Sequence, residues 1–317
     1  MQRIVITKPF DVQIEETQIP EINKDNLILI RTEYSGVSLG TEKVYFDGTW
    51  EQNLSKYPIY PGYEAVGIVE KVGDNVKNIN IGDRVVTFGN HAGYVIVPEG
   101  SGCQKVPNHI KPEKSTLAIL GATAIHAVER GDLQPNSKVA IFGAGVLGLL
   151  LLQHAKLAGA GFVMVSDVID EKLAIATALG ADLVVNPKHK SPSEIFKNIA
   201  GELADVSYEV AGGAAKAQEE ALRSTKEHGK VLLMGGGDKG VVRFPYRLFF
   251  SNELTIMASR ATGKPENFEK SLARIINRQI NVDAIPTKIV PYTDIAQIYD
   301  MLIRGNYPFI HLVLKWS

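Results

Sequence analysis

The sequence is poor in cysteine, in net charge and in long apolar runs. Among its 317 residues Cys103 is the single cysteine, so neither an internal disulfide nor a thiolate zinc cluster can form within the chain. The 34 Lys and Arg residues nearly cancel the 35 Asp and Glu residues, which leaves no electrostatic footprint for nucleic acid or an anionic membrane surface. We therefore expect a small-molecule substrate, with no nucleic acid and no membrane as partner.

Neither a membrane span nor an export signal is apparent in the sequence. The longest apolar stretch, 146–152, is far shorter than the roughly 20 residues that cross a bilayer. Residues 1–8 alternate like a strand and lack the apolar core of a signal peptide. These features predict a cytoplasmic protein.

The first and last parts of the chain are typical of a β-rich domain. Up to about residue 105, short strand-like runs are separated by glycine and proline, as in an antiparallel barrel or sandwich. Two helical runs and a final strand-like run follow Pro265 and would complete this domain. The predicted strands are 1–8, 26–33, 65–71, 83–87, 94–97 and 309–315, and the predicted helices are 267–278 and 293–304.

The middle of the chain has a different pattern. From Leu117 to about Ala261, strands alternate with amphipathic runs of helical length, which predicts a parallel sheet with right-handed crossovers. We therefore predict a domain inserted at 118–262 within a first domain made of 1–117 and 263–317. The six predicted strands, the number of a doubly wound sheet, are 138–142, 162–166, 182–185, 205–210, 230–234 and 253–258.

A glycine motif follows the first of these six strands. Residues 139–148, VAIFGAGVLG, have the pattern G-x-G-x-x-G between a buried strand and a helical run. Gly143 would make the tight turn, Gly145 would let the backbone approach a pyrophosphate, and Gly148 would let the helix pack on the strand. Val146 and Leu147 begin the helix, whose free N–H groups favour phosphate. The motif predicts a dinucleotide cofactor.

The next strand ends at Asp167, about twenty residues downstream of the glycines. A carboxylate there accepts hydrogen bonds from both adenosine ribose hydroxyls and repels a 2′-phosphate, which predicts NAD rather than NADP. In the alternative interpretation, Asp167 only begins the turn before the next helix.

Four further segments resemble the medium-chain dehydrogenase/reductase superfamily, the relatives of zinc alcohol dehydrogenases, over essentially the whole chain. The resemblance implies an α/β fold in which a GroES-like β-barrel catalytic domain surrounds a doubly wound Rossmann domain. The pairing of G-V-S-x-G-T-E with P-G-Y-E is most similar to the branch containing bacteriochlorophyllide dehydrogenases. The segments are SGVSLGTE at 35–42, PGYEAVGIV at 61–69, GDRV at 82–85 and LGATAIHA at 120–127.

The resemblance also implies roles for individual residues. Asp167 matches the ribose carboxylate, and Lys172 matches a lysine that steadies the same ribose. Thr123 matches a threonine that faces the nicotinamide. Gly235 and Gly236 match the strand end beside the nicotinamide ring.

The zinc ligands of the superfamily are missing. The positions that match its cysteine, histidine and cysteine ligands hold Ser38, Tyr63 and Ile119, and only Glu64 remains as a metal-type ligand. Residues 88–94 pass straight through the place where a four-cysteine structural lobe would be inserted. We predict that the protein binds neither a catalytic nor a structural zinc.

A zinc-free dehydrogenase needs another group to handle the hydroxyl proton. Tyr63 is the first candidate, although it could simply fill space. Glu64 could tune the site or act behind it. His91 could serve as a base, or could lie exposed in its loop. Ser38 and Thr41 could relay a proton, or could cap the loop.

The leading functional hypothesis is reversible hydride transfer between NAD(H) and a secondary alcohol, such as a cyclic or polyol-like one, or its ketone. One alternative is a zinc-free quinone or enoyl reductase that uses NADPH, against which Asp167 weighs. Another is a catalytically silent NAD-binding protein. We also expect a homodimer joined through the strand at 253–258, because this apolar sheet edge would otherwise stay open to aggregation.

Overall fold

The computed structural model describes residues 1–49, 56–100, 102–212, 214–235, 245–305 and 309–316. Its fold is α/β, and contacts within the chain divide it into two compact units. The second unit is Leu120–Asn267 with Asn277–Ile285, so the last of these segments groups with the inserted part of the chain. The first unit is Met1–Ile119, Phe268–Ile276 and Pro286–Ser317.

The secondary structure alternates between strands and helices in the middle of the chain and is mostly strand before it. The strands are β1 (Gln2–Lys8), β2 (Asp11–Glu16), β3 (Leu27–Val37), β4 (Glu64–Val72), β5 (Arg84–Thr87), β6 (Tyr94–Pro98), β7 (Cys103–Lys105), β8 (Lys138–Phe142), β9 (Phe162–Ser166), β10 (Leu183–Val185), β11 (Ala204–Glu209), β12 (Thr225–Leu233), β13 (Thr255–Ala258), β14 (Thr287–Pro291) and β15 (His311–Lys315). The helices are α1 (Leu39–Phe46), α2 (Pro112–Ser115), α3 (Leu117–Gly131), α4 (Val146–Leu157), α5 (Asp170–Ala178), α6 (Pro192–Ala200), α7 (Ala215–Arg223), α8 (Tyr246–Ser251), α9 (Pro265–Ile276) and α10 (Ile295–Arg304).

The first unit contains a mainly antiparallel sheet in the order β14-β15-β3-β4-β5-β7, with β6 also paired to β3. One of its cores joins β1, α1, α10 and β15, where Ile4, Phe46, Tyr299 and Leu312 are all buried. The first and last segments of the chain therefore share one core. Strands β3 and β4 pair with Gly36 opposite Glu64, which determines what surrounds that carboxyl group.

The second unit contains a parallel sheet in the order β10-β9-β8-β11-β12-β13. Helix α4 follows β8, and the four consecutive leucines Leu149–Leu152 are fully buried. Each fully buried leucine side chain contributes about 1.5–3 kcal/mol relative to an exposed one. The chain order reverses between β8 and β11, which is where a doubly wound sheet binds its ligand.

The predicted fold class and the six-stranded doubly wound sheet are confirmed. Strands β2, β7 and β14 were not predicted. Strand β7 has only three residues, and β14 ends at a proline with much of its length exposed, so neither has a clear hydrophobic period. Within the described part of the chain, no helix combines the length and apolarity that a membrane span needs.

Candidate functional site

Four strand ends of the second unit lie in one row. Phe142 pairs with Ser166 on one side and with Glu209 on the other, and Glu209 pairs with Leu233. The residues that follow these strands therefore emerge along the same carboxyl edge of the sheet. The predicted cofactor residues Gly143 and Asp167 come directly after β8 and β9.

Two of the three motif glycines are required by the fold itself. Gly143 has a φ of +115°, in the left-handed range, and a Cβ there would approach the backbone of Val210 to 3.0 Å. A Cβ at Gly148 would collide with the carbonyl oxygen of Gly143. At Gly145, in contrast, φ is −74° and a Cβ would meet nothing within 4 Å. The protein alone therefore gives no steric reason for glycine at 145, whereas a phosphate in that open space would.

The start of α4 is suited to bind an anion. Gly145 is the N-cap and has no side chain to cap the helix, and the first turn contains no acidic residue. Val146 and Leu147 are the first helical residues and are partly buried. The first N–H groups of the helix lack intrahelical partners and carry the positive end of the helix dipole. This arrangement fits a pyrophosphate.

The Asp167 carboxylate is held by two backbone amides. Ala144 N–H, in the glycine loop, donates to Oδ2 at 2.7 Å, and Ile169 N–H donates to Oδ1 at 3.0 Å. The second contact is the one expected if Asp167 begins a turn, and the first directs the carboxylate to the glycine loop. Lys172 lies in the first turn of α5 and is partly buried.

The predicted nicotinamide residues lie on two elements. Thr123 is a partly buried residue of α3. Gly235 follows β12, and its N–H donates to the carbonyl oxygen of Glu209 at 3.2 Å, which keeps it at the carboxyl edge of the sheet. Gly236 lies outside the described residues.

In the first unit, Tyr63 and Ser38 form a hydroxyl pair. The Tyr63 hydroxyl donates to Ser38 Oγ at 2.8 Å, and the Thr41 side chain also hydrogen-bonds to the phenol. Ser38 is the N-cap residue of α1 but makes no side-chain capping bond. Its hydroxyl is therefore directed to Tyr63 and does not cap the helix. The structure thus brings together three of the predicted catalytic side chains.

The surroundings of Tyr63 keep its phenol protonated. Burial raises the pKa of Tyr63 far above its ordinary value of 10.0, and the nearby Glu64 and Glu42 raise it further. The hydrogen bonds from Ser38 and Thr41 lower it only in part. Tyr63 is therefore protonated at neutral pH, where it can donate a hydrogen bond or a proton.

Glu64 is a buried carboxyl group over the backbone of Gly36. A Cβ at Gly36 would collide with Glu64 Oε2, so the glycine provides the room for this carboxyl group. Neither of its oxygens has a hydrogen-bond partner among the described residues. Burial, and secondarily the charge of Glu42, raise the pKa of Glu64 well above its usual value. Glu64 is therefore favoured in its neutral, protonated form.

His91 is fully buried, so the expectation that it lies exposed in its loop is wrong. Its Nδ1 lies 2.7 Å from Ser35 Oγ and its Nε2 lies 3.0 Å from Glu42 Oε2. The physical reason is that hydrogen bonds to Ser35 and Glu42 compensate the burial of the imidazole ring. With both nitrogens bonded, His91 is a member of a buried network behind the Tyr63–Ser38 pair.

Four members of this network, Ser35, Glu42, Tyr299 and Trp316, were not predicted as site residues from the sequence. Tyr299 donates its hydroxyl to Glu42 Oε2 at 2.8 Å, and Trp316 Nε1–H donates to Ser35 Oγ at 2.8 Å. Ser35 and Glu42 border the motif SGVSLGTE, and this was the one available signal. No local pattern identifies Tyr299 or Trp316.

The side chains at the three zinc-ligand positions do not fit zinc. Ser38 presents a hydroxyl, Tyr63 a phenol that keeps its proton, and Ile119 a buried hydrocarbon. Zn²⁺ in proteins takes thiolate, imidazole or carboxylate ligands. Over the described ranges, no group of three or more His, Cys, Asp or Glu side chains could hold a metal ion.

Two protein-family models match the chain. Residues 24–128 match the alcohol dehydrogenase GroES-like domain, and residues 146–277 match the zinc-binding dehydrogenase domain.

Individual relatives span nearly the whole length. The chain is 29% identical to a sorbitol dehydrogenase of Bombyx mori, with 93% of each chain covered. It is 30% identical to the sorbitol dehydrogenase of Homo sapiens over 74% of this chain and 75% of that one. The solved structure of alcohol dehydrogenase TADH from Thermus sp. ATN1 has a TM-score of 0.84 at 23% identity and covers 99% of both chains.

Proposed function

The chain belongs to the zinc-type alcohol dehydrogenases of the medium-chain dehydrogenase/reductase superfamily, and from this premise we propose that it interconverts a neutral, polyol-like secondary alcohol and its ketone with NAD(H) and without zinc. Its relatives share an alcohol dehydrogenase-like oxidoreductase activity with a nicotinamide cofactor. The finer proposal is carried by one observation, the Tyr63–Ser38 hydroxyl pair at positions that match zinc ligands in the superfamily.

The polarity around Tyr63 supports a neutral substrate. Ser38, Thr41 and Tyr63 offer hydroxyl groups, and the buried Glu64 is favoured in its neutral form. Because the charge of Glu42 raises the pKa of Tyr63, the potential at its hydroxyl is negative. A phosphate or carboxylate on the substrate would be repelled there. Relatives named sorbitol dehydrogenase agree with a hydroxyl-rich substrate.

The hydroxyl groups supply the proton chemistry. When bound, the nicotinamide supplies or accepts the hydride. In ketone reduction, the Tyr63 hydroxyl turns from Ser38 Oγ to the carbonyl oxygen and gives up its proton as the alkoxide develops. The resulting phenolate accepts hydrogen bonds from the Ser38 and Thr41 hydroxyls, which are the two groups that lower the pKa of Tyr63. A proton from solvent then restores the phenol.

The test of this function uses unphosphorylated and phosphorylated polyols. We expect sorbitol or a related polyol to reduce NAD, and sorbitol 6-phosphate to be a poorer substrate by kcat/KM. Oxidation of NADPH by a quinone, without any polyol oxidation, would instead support a quinone reductase. Tight NAD binding with neither reaction would support a catalytically silent protein.

The proposed absence of zinc rests on the donor chemistry of Ser38, Tyr63 and Ile119. We expect elemental analysis of metal-replete, untagged protein to find less than stoichiometric zinc. Activity should also persist after chelation. Stoichiometric zinc that is lost together with activity would overturn this part of the proposal.

The proposed preference for NAD rests on Asp167. Its carboxylate is held by two backbone amides, so it cannot easily turn away from a 2′-phosphate. We expect calorimetry to find tighter binding of NAD than of NADP. Asp167→Ala should weaken NAD binding by about ten- to a hundredfold, because a hydrogen bond to a charged group is lost. Tighter binding of NADP by the unmodified protein would contradict the assignment.

We also infer a homodimer that pairs through β13. This strand ends the parallel sheet, with β12 as its described neighbour, and Thr255 and Ala258 are exposed on it. An unpaired strand edge invites pairing with a second copy.

A further inference from the structure

We propose that Glu42 is a positioning residue, which holds the backbone of Ser38 so that the Ser38 hydroxyl stays turned to Tyr63. Its carboxylate is fully buried, and Ser38 N–H donates to Oε1 at 2.7 Å. The role in catalysis rests on the proposed function, whereas the role in holding Ser38 does not.

Glu42 receives hydrogen bonds on both of its oxygens. Ser38 N–H donates to Oε1, while Tyr299 OH donates to Oε2 at 2.8 Å and His91 Nε2 lies 3.0 Å from the same oxygen. Hydrogen bonds to a carboxylate are shorter and stronger than bonds between neutral groups. Three such donors compensate the burial of one negative charge.

The network has a defined direction. Trp316 Nε1–H can only donate, and it donates to Ser35 Oγ, which also lies 2.7 Å from His91 Nδ1. The Glu42 carboxylate can only accept, so a ring proton on His91 Nε2 points to it. Glu42 is therefore the terminal acceptor of the series.

Ser38 is unusual for a serine at the start of a helix. An N-cap serine ordinarily accepts a hydrogen bond from the second or third helical N–H. Here no such bond exists, and Ser38 Oγ accepts from Tyr63. Because Glu42 holds the Ser38 N–H, the residue keeps its orientation without a capping bond. Removal of that carboxylate would leave Ser38 free to cap α1 and break the pair.

Two of the donors to this network come from the C-terminal segment of the chain. Tyr299 belongs to α10, and Trp316 follows β15. Both lie in the segment Pro286–Ser317 of the first unit. The C-terminal segment therefore helps to set the orientation of a serine that lies near the other end of the chain.

Hydrogen–deuterium exchange at the Ser38 amide tests the holding role without any substrate. Glu42→Gln replaces one carboxylate oxygen by an NH2 group, so a donor instead of an acceptor then faces either Ser38 N–H or the pair Tyr299 and His91. We expect the Ser38 amide to exchange about ten- to a hundredfold faster. Tyr57→Phe is the matched control, since it removes another phenol hydrogen bond of the first unit, the 2.6 Å bond to the Tyr45 carbonyl. Its Ser38 exchange should equal that of the parent protein.

A second variant covers the case in which Glu42→Gln does not fold. Tyr299→Phe keeps the ring in the core and removes one donor, and it should accelerate Ser38 exchange in the same direction but less. The holding role would be overturned if the Ser38 amide exchanged at the parental rate in folded Glu42→Gln. If only Tyr299→Phe folds, a parental rate in that variant would overturn it. Faster exchange with unchanged kcat would overturn the positioning role in catalysis. The expected result is a fall in kcat of about tenfold or more with NAD affinity within twofold of the parent.

Discussion

At the residue scale, burial decides which groups can donate a proton. Tyr63 keeps its hydroxyl proton because burial and two neighbouring carboxyl groups oppose the phenolate. Tyr63→Phe deletes only that hydroxyl, so we expect turnover to fall by about 10²–10⁴-fold while NAD binding stays near normal. Single-turnover kinetics of hydride transfer would measure the effect.

The control for Tyr63→Phe is Tyr57→Phe, which also removes a phenol hydroxyl from a partly buried tyrosine of the first unit. This variant should retain the parental rate. If hydride transfer in Tyr63→Phe proceeds at the parental rate as well, the proton belongs to another residue, and Ser38 becomes the next candidate.

A second prediction at this scale concerns acid stability. His311 is buried between two threonines: Thr116 Oγ1 donates to the Glu113 carbonyl, so it accepts from His311 Nε2–H at 3.3 Å, and Thr287 Oγ1 lies 3.1 Å from Nδ1. Burial, and then the charge of Lys114, lower the pKa of His311 from 6.5 to about 3. Below pH 6.5, His311 therefore binds a proton in the unfolded chain but stays neutral in the folded protein.

This contribution to stability is present above pH 6.5 and is lost as the pH falls towards 3. We expect His311 to make the free energy of unfolding fall by about 1.4 kcal/mol for each pH unit in that window. His311→Asn cannot titrate, so the stability difference between parent and variant should shrink at that rate in urea unfolding between pH 6 and pH 4. A difference that does not change with pH would contradict the assignment.

At the scale of the element, the glycines around the start of α4 have two different roles. Gly143 and Gly148 are required by the fold, whereas Gly145 is proposed to serve the cofactor. Gly145 has an ordinary φ and open space at its Cβ position. Gly145→Ala should therefore leave the thermal unfolding temperature of the ligand-free protein unchanged or slightly raised. NAD affinity should nevertheless fall about tenfold or more, because the added methyl group would occupy the place proposed for the pyrophosphate.

Gly148→Ala is the matched comparison. Its methyl group would collide with the Gly143 carbonyl, so this variant should lose stability even without a ligand. Calorimetry and thermal unfolding of both variants measure the two effects. A Gly145→Ala protein that binds NAD normally would show that the pyrophosphate lies elsewhere.

At the scale of the whole molecule, the exposed edge of β13 predicts assembly. Sedimentation at micromolar concentration should find a dimer of the parent protein. Thr255→Asp combined with Ala258→Asp places like charges on both copies of the paired edge and should yield monomers. Ile289→Asp, at an exposed position on the edge strand β14 of the other sheet, should remain dimeric. A monomeric parent protein would refute the proposed dimer.

Local patterns were sufficient to predict the parallel sheet and the glycine motif. Strand and helix periods, and the spacing from Gly143 to Asp167, are properties of short stretches, and the structure places both residues at one sheet edge. Parallel pairing requires little more than buried strands joined by helices. The chemistry of Ser38 and Tyr63 as metal ligands is likewise a property of the side chains themselves.

The tertiary structure alone decided which polar groups meet in the core of the first unit. Glu42 and Tyr299 are 257 residues apart, and their hydrogen bond leaves no periodic trace in the sequence. His91 lies in a glycine-rich loop, which suggested exposure, yet Ser35 and Glu42 receive both of its nitrogens. Ser38 stands where a capping serine is expected, yet its hydroxyl faces Tyr63. Sequence periodicity reports which face of an element is buried, whereas the partner of a buried polar group depends on how distant segments pack.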